Sequence, residues 1–318
     1  MPQMATALVL SLAWFAAANA AASVGAWALV HLLDARRLAR RPGLLLGLRL
    51  MPAAVSMLFV STIFLPAHWR FEPRGVDESF GIGIYALALA GVLVLLRSGR
   101  RMAAVAHAGW GLRACAALPR IASHDAGTTE VYEVQGLVGV SLAGVVRPRI
   151  LVGPAVRRIL TAAEFDAAVA HEMAHHAARD NVKRFAIFCA PDFFGESAAA
   201  RRLEEQWRAA AEWQADAHAV RGDECRAVNL ASALVKVAQI ATTAPARLTS
   251  PAWSTLHEPP LLEIRVRRLI GGSAPPAGTA PKGWLAIAIG LVAMAVVLGS
   301  LAAADLHRIT ETAAHLLP

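Results

Sequence analysis

Five consecutive residues, His171-Glu172-Met173-Ala174-His175, set two imidazoles four positions apart with a carboxylate directly after the first. On an α-helix, residues four apart share a face with Cβ atoms about 6 Å apart, so both rings can bind one metal ion. Glu172, turned about 100° from His171, can reach a water on that metal without becoming a ligand. Water on zinc has its pKa lowered to about 7, and a glutamate so placed takes its proton as general base. Chance puts such a pentamer in roughly one in sixty chains with 11 His and 14 Glu among 318 residues. The motif therefore needs support from the rest of the sequence.

A catalytic zinc takes three protein ligands and keeps a position for water. Glu212 and Asp216, four apart in Glu212-Trp213-Gln214-Ala215-Asp216, share one face of a helix expected over residues 201–220. In that arrangement Glu212 is the third ligand. Asp216, one turn on, accepts the free ring N–H of a ligand histidine and fixes its tautomer. Alone, the pair would read as a solvated acidic face; behind a His-Glu-x-x-His helix it completes the site. His176 and His218 lie near but out of register with the ligands.

The rest of the chain must hold and place these groups. Of its 318 residues, 56% are hydrophobic and 17% charged, with a mean hydropathy of +0.47. That is too apolar for an ordinary soluble enzyme and makes a membrane protein the first inference. The formal charge of +8 comes almost wholly from arginine, the lysines being Lys183, Lys236 and Lys282. The arginines flank apolar runs, a pattern of membrane topology rather than of direct nucleic-acid binding. Cys115, Cys189 and Cys225 form no C-x-x-C and read as small buried residues in a reducing compartment.

Four apolar runs, at about 5–33, 44–67, 80–96 and 284–304, are long enough to be transmembrane helices. Ala18-Asn19-Ala20 resembles a signal-peptide cleavage site, but the start has no basic region and the run continues past it, so a retained helix is expected. Arg49 sits near the start of the second run, where it can snorkel, and Pro52 can kink that run. Arg97, Arg100 and Arg101 are expected to stop the third. The loop at 34–49 carries five arginines; that at 68–79 carries two, balanced by acids. The positive-inside rule then places the first loop and the stretch after Arg97 in the cytoplasm, and both termini outside. The expected organisation is three transmembrane helices in 1–98, a cytoplasmic domain in 99–281, and a fourth helix with a short extracytoplasmic tail in 282–318. The chain belongs, on this reading, to the cell membrane.

Within 99–281, β-branched segments at 130–134, 137–140 and 149–152 read as short strands, making the domain α+β within a mainly α chain. Thr161-Ala162-Ala163-Glu164 is a capping box. The helix it opens has apolar residues every fourth position at Phe165, Val169 and Met173, and ends near Asp180-Asn181. The metal pentamer thus falls inside a helix with its own start signal.

Segments 171–181 and 212–216 resemble those of gluzincin membrane metallopeptidases, and above all the bacterial beta-lactam-sensor/antirepressor (penicillinase antirepressor) peptidase family. Gly144-Val145-Val146-Arg147-Pro148-Arg149-Ile150-Leu151-Val152 and the three-plus-one layout of spans extend the likeness. More distantly, residues 254–260 with Arg265 and Leu269 resemble a segment shared with the heat-shock and prenyl-protein membrane zinc proteases. The resemblance implies a gluzincin-type zinc metalloprotease domain with one Zn2+ per chain on His171, His175 and Glu212, and Glu172 as catalytic base. It implies a protein or peptide substrate, such as a transcriptional repressor, cut at the cytoplasmic face of the lipid bilayer. Membrane-protein quality control is the alternative enzymatic role; a non-catalytic zinc-containing signalling or scaffold protein is the alternative from another class. The sensor family carries an extracellular ligand-binding domain after the fourth span, where this chain has residues 305–318, so penicillin sensing is not implied. Tyr132 and His257 are candidate contacts to substrate or transition state, and the strand at 137–145 could bind an extended peptide by strand addition.

Overall fold

The computed structural model describes residues 2–32, 41–71, 80–114, 120–121, 131–243, 254–256, 261–272, 308 and 312. The expected fourth span, His257 and Cys115 lie outside them. Three helices are long and apolar enough to cross a membrane, over Met4–Val30, Pro42–Phe71 and Ile82–Gly109. The first is α1 (Pro2–Leu32). The second joins α2 (Pro42–Leu58), a π-helical stretch (Phe59–Phe64) and α3 (Leu65–Phe71). The third is α4 (Ile82–Ala114). Helix α1 packs on both others, and a Cβ on Gly91 of α4 would lie 2.5 Å from the Leu12 carbonyl oxygen, so only glycine permits that approach.

Two expectations about these helices are corrected. Arg97, Arg100 and Arg101 end the apolar run but not the helix, since arginine is a good helix former. The extension beyond them has a packing role, because Val105 lies in a core cluster with Tyr132, Ala143 and Leu151. Arg49 does not snorkel to water: it is buried and paired with Asp192 at 2.8 Å.

A five-stranded sheet follows, in the order β1-β2-β4-β3-β5: β1 (Arg120–Ile121), β2 (Val131–Glu133), β3 (Val140–Ala143), β4 (Arg149–Val152) and β5 (Ser254–Thr255). Strands β2 and β4 are parallel; the other pairs are antiparallel. The strand expected at 137–140 begins only at Val140. Gly136 and Gly139 take φ of 79° and 115°, and such left-handed backbone cannot continue a ladder. Alternation then separates the faces. Val131, Val140, Leu142, Ile150 and Val152 pack toward α6 (Ala162–Ala178) and α9 (Glu224–Thr243), and Tyr132, Ala143 and Leu151 point the other way.

Between β4 and β5 the described elements are helices: α5 (Pro154–Ile159), α6, α7 (Asp180–Cys189), α8 (Ala198–Val220) and α9; α10 (Leu262–Ile270) follows β5. Leu203, Trp207 and Ala211 of α8 pack against Leu45 and Leu48 of α2. Helix α8 is therefore packed onto the second candidate span. Of the described cysteines, Cys189 is buried as expected, whereas Cys225 is exposed.

The capping box forms at the start of α6, with Thr161 and Glu164 bonding each other's backbone N–H. Glu164 also accepts from Ser232 and Lys236 of α9. Burial alone would raise the Glu164 pKa, but these bonds hold it down to about 2. A depressed folded value means stabilisation that is complete above the ordinary glutamate range and lost as pH falls toward 2. Glu164→Gln should therefore lower stability by about 2 kcal/mol at pH 7. In thermal unfolding, the gap from the parent protein should narrow between pH 4.5 and 3.

Candidate metal centre

Helix α6 delivers His171, Glu172 and His175, and α8 delivers Glu212; all four are fully buried. His171 Nε2 lies 3.1 Å from His175 Nε2 and 3.3 Å from Glu212 Oε2, and His175 Nε2 lies 3.3 Å from Glu212 Oε1. Ligand atoms at 2.0–2.1 Å from a tetrahedral zinc are separated by about 3.3 Å. The three residues could thus hold a metal ion with little movement.

The opposite ring nitrogens are each met by a carboxylate. His171 Nδ1 lies 3.0 Å from Asp216 Oδ1, as its position one turn beyond Glu212 predicts. His175 Nδ1 lies 2.8 Å from Asp180 Oδ2. On an unbroken helix, a residue five positions on would point about 140° away from His175. Arg179 breaks it: with φ 54° and ψ 39° it ends α6 in a left-handed turn and starts α7, which returns Asp180 to the imidazole. Both Nε2 atoms are thereby turned toward Glu212.

Two buried arginines brace Glu212. Arg184 of α7 donates to Glu212 Oε1 at 3.0 Å, and Arg265 Nη1 of α10 lies 3.0 Å from Glu212 Oε2. Arg265 also grips Asp216 with Nε at 2.9 Å and Nη2 at 2.6 Å, and its Nη1 donates to the Leu256 carbonyl. One guanidinium therefore fixes the ligand, the histidine's partner and the segment after β5.

Charge follows from this list. Four buried carboxylates (Glu172, Asp180, Glu212 and Asp216) meet two buried guanidiniums, Arg184 and Arg265. With every carboxylate ionised, the interior is two positive charges short before the half-exposed Lys183 beside Asp180 is counted. Protons are drawn in. Burial alone would depress His175, yet the Glu212 and Asp180 carboxylates push it up to about 10. His171 is also raised, Asp216 and Glu212 outweighing its burial. Burial raises Glu172 despite the nearby imidazoles. Although burial opposes it, Glu212 stays well below the usual range because His175 and Arg265 stabilise its charge. A divalent cation would supply the missing charge in place of the protons on the rings.

Glu172 Oε2 accepts from the Leu142 backbone N–H at 3.1 Å, and Oε1 is buried with no hydrogen-bond partner. Asn181 ties α7 to the same strand, donating to the carbonyls of Leu142 and Gly144. The edge of β3 proposed for an extended peptide is already paired at Ser141 and Leu142 with β5, so strand addition there requires β5 to leave or uses the residues beyond it.

The structure brings together His171, Glu172, His175, Glu212 and Asp216. It does not bring Tyr132 to them: alternation puts that ring on the far face of the sheet, 5.2 Å from the Arg149 guanidinium. His176 and His218 are exposed, as expected from their register. Asp180 and Asn181 entered the sequence reading only as a helix end and within a resembling segment, Arg265 only within another such segment, and Arg184 not at all. No protein-family model, curated protein or solved structure matches the chain.

Removing the partner of His175 tests the arrangement without touching a ligand. Asp180→Asn should weaken zinc retention about 10- to 100-fold in chelator competition. In the parent protein, affinity should fall with pH, because both imidazoles must shed protons to bind.

Proposed function

We propose that this chain is a membrane-embedded zinc-dependent endopeptidase that cuts a protein at the cytoplasmic face of the membrane. The observation that carries the reading is Glu172 Oε1, a buried carboxylate oxygen without a partner, one residue from a metal-ligating histidine. A structural metal site has no use for such a group; hydrolysis requires one. The resemblance of 171–181 and 212–216 to the gluzincin antirepressor peptidases supports the same conclusion. Arginine-rich flanks of the apolar runs support the cytoplasmic placement.

His171, His175 and Glu212 would hold zinc, which supplies Lewis acidity toward a peptide carbonyl. The chain's own residues do the rest. The Leu142 N–H holds Glu172 Oε2 and leaves Oε1 to accept a proton from the attacking water. Burial raises the basicity of that carboxylate, which favours the transfer. As the C–N bond breaks, Glu172 returns the proton to the leaving nitrogen. Asp180 and Asp216 keep both rings oriented, and Arg184 and Arg265 keep Glu212 in place.

The substrate is proposed to be regulatory, a repressor or another signalling protein. Glu172→Gln should keep one zinc per chain and lose proteolysis by at least about a thousandfold, while His171→Ala should lose the metal. Zinc analysis and a cleavage assay read both outcomes, and full cleavage by Glu172→Gln would refute the assignment. Crosslinking the same inactive variant to bound proteins in its native cells should capture a soluble regulator. Capture of misfolded membrane proteins would favour quality control instead.

A further inference from the structure

Arg49, within the second apolar candidate span, is 3% exposed. Among the described residues its partner is Asp192, which accepts from Nη1 at 2.8 Å. Its Nε is buried without a partner. A guanidinium carries five N–H donors in a planar fork, and burying a donor unmatched forfeits its hydration without return. Asp192 has little more to offer, since its Oδ1 already accepts from Ser23 Oγ and the Phe194 N–H. Arg49 is therefore a buried cation short of an acceptor.

It lines two cavities. One, of about 340 Å³, lies between α1, α2 and the start of α8, with apolar walls that include Val24, Trp27, Leu48 and Leu203. Val24 and Trp27 are half exposed, so this cavity opens between two candidate spans. The other, of about 330 Å³, sets Arg49, Arg101, Arg201 and Arg208 against Glu196, Glu204 and Glu205. Arg101 follows the apolar run at 80–96, and basic residues that flank such runs favour lipid headgroups. Arginine forks match phosphate oxygens in pairs. Each cavity falls in the size range of small-ligand sites.

We propose that the two cavities form one binding site for an anionic phospholipid. Its phosphate meets Arg49 and the arginines beside it, and an acyl chain enters the apolar cavity. The phosphate meets the edge of the Arg49 guanidinium that lines the second cavity, and the chain fills a space whose walls hold water poorly. This site stands independently of the peptidase reading, because none of its residues belongs to the metal centre.

Native mass spectrometry of the detergent-purified full chain tests it with four probes: phosphatidylglycerol, phosphatidylcholine, myristate and inorganic phosphate. One phosphatidylglycerol per chain should be retained most strongly. Arg49→Gln combined with Asp192→Asn leaves a neutral hydrogen-bonding pair and should weaken retention about tenfold. Ala199→Phe, which fills the apolar cavity, should abolish it. Circular dichroism confirms the fold of each variant, and either variant suffices if the other fails to fold. Equal retention of the two phospholipids, displacement by myristate at equal concentration, binding of phosphate alone, or unchanged retention in the folded variants would overturn the proposal.

Discussion

Buried like charge is the constraint on which the rest of the structure depends. Four carboxylates in a dry interior would repel one another and lose their hydration, at a cost no hydrophobic packing nearby could offset. Each is instead tied to a specific partner: Glu212 to Arg184 and Arg265, Asp216 to Arg265 and His171, Asp180 to His175 and Lys183. Glu172 Oε1 has no hydrogen-bond partner, and Glu212 Oε2 is met only by the Arg265 guanidinium, at ion-pair distance. The fold around the site is largely the means of delivering these partners from four different helices. A dication at the meeting point of the imidazoles and Glu212 would complete the same charge balance.

Helix α7 connects that interior to the three candidate spans. Its N-terminal end supplies Asp180, Asn181 and Arg184 to the site. The chain at its other end is held by side chains from all three candidate spans. Ser98 donates to the Cys189 carbonyl, Arg101 to that of Phe188 and Asn19 to that of Pro191, while Asn19 also accepts from the Phe193 N–H. Arg49 and Ser23 close on Asp192. Irregular backbone beside apolar helices needs such partners, since lipid offers none. The ligand-orienting helix and the apolar bundle are therefore one mechanical unit.

Much of the site was legible because its signals are local. The four-residue spacing of His171 and His175, the Thr161–Glu164 capping box and the Glu212–Asp216 pair are all properties of a single helix turn. Strand β4 and the three candidate spans were read from composition and run length, which are also local. What stayed hidden depends on backbone breaks and distant partners. Asp180 reaches His175 only because a non-glycine residue, Arg179, adopts a left-handed conformation that its type does not announce. Arg184 and Arg265 look like any arginine in a basic chain, and Arg49 looked like a snorkelling residue because Asp192 lies 143 positions away. Tyr132 was a candidate contact whose place in the alternation of β2 removes it from the site.

The account rests on the triad being a metal centre, and zinc K-edge X-ray absorption of the zinc-loaded protein tests that most directly. It should show nitrogen and oxygen ligands at about 2.0–2.1 Å, outer-shell scattering from two imidazoles, and no sulfur at about 2.3 Å. A sulfur ligand, or failure of the folded protein to retain zinc, would contradict it.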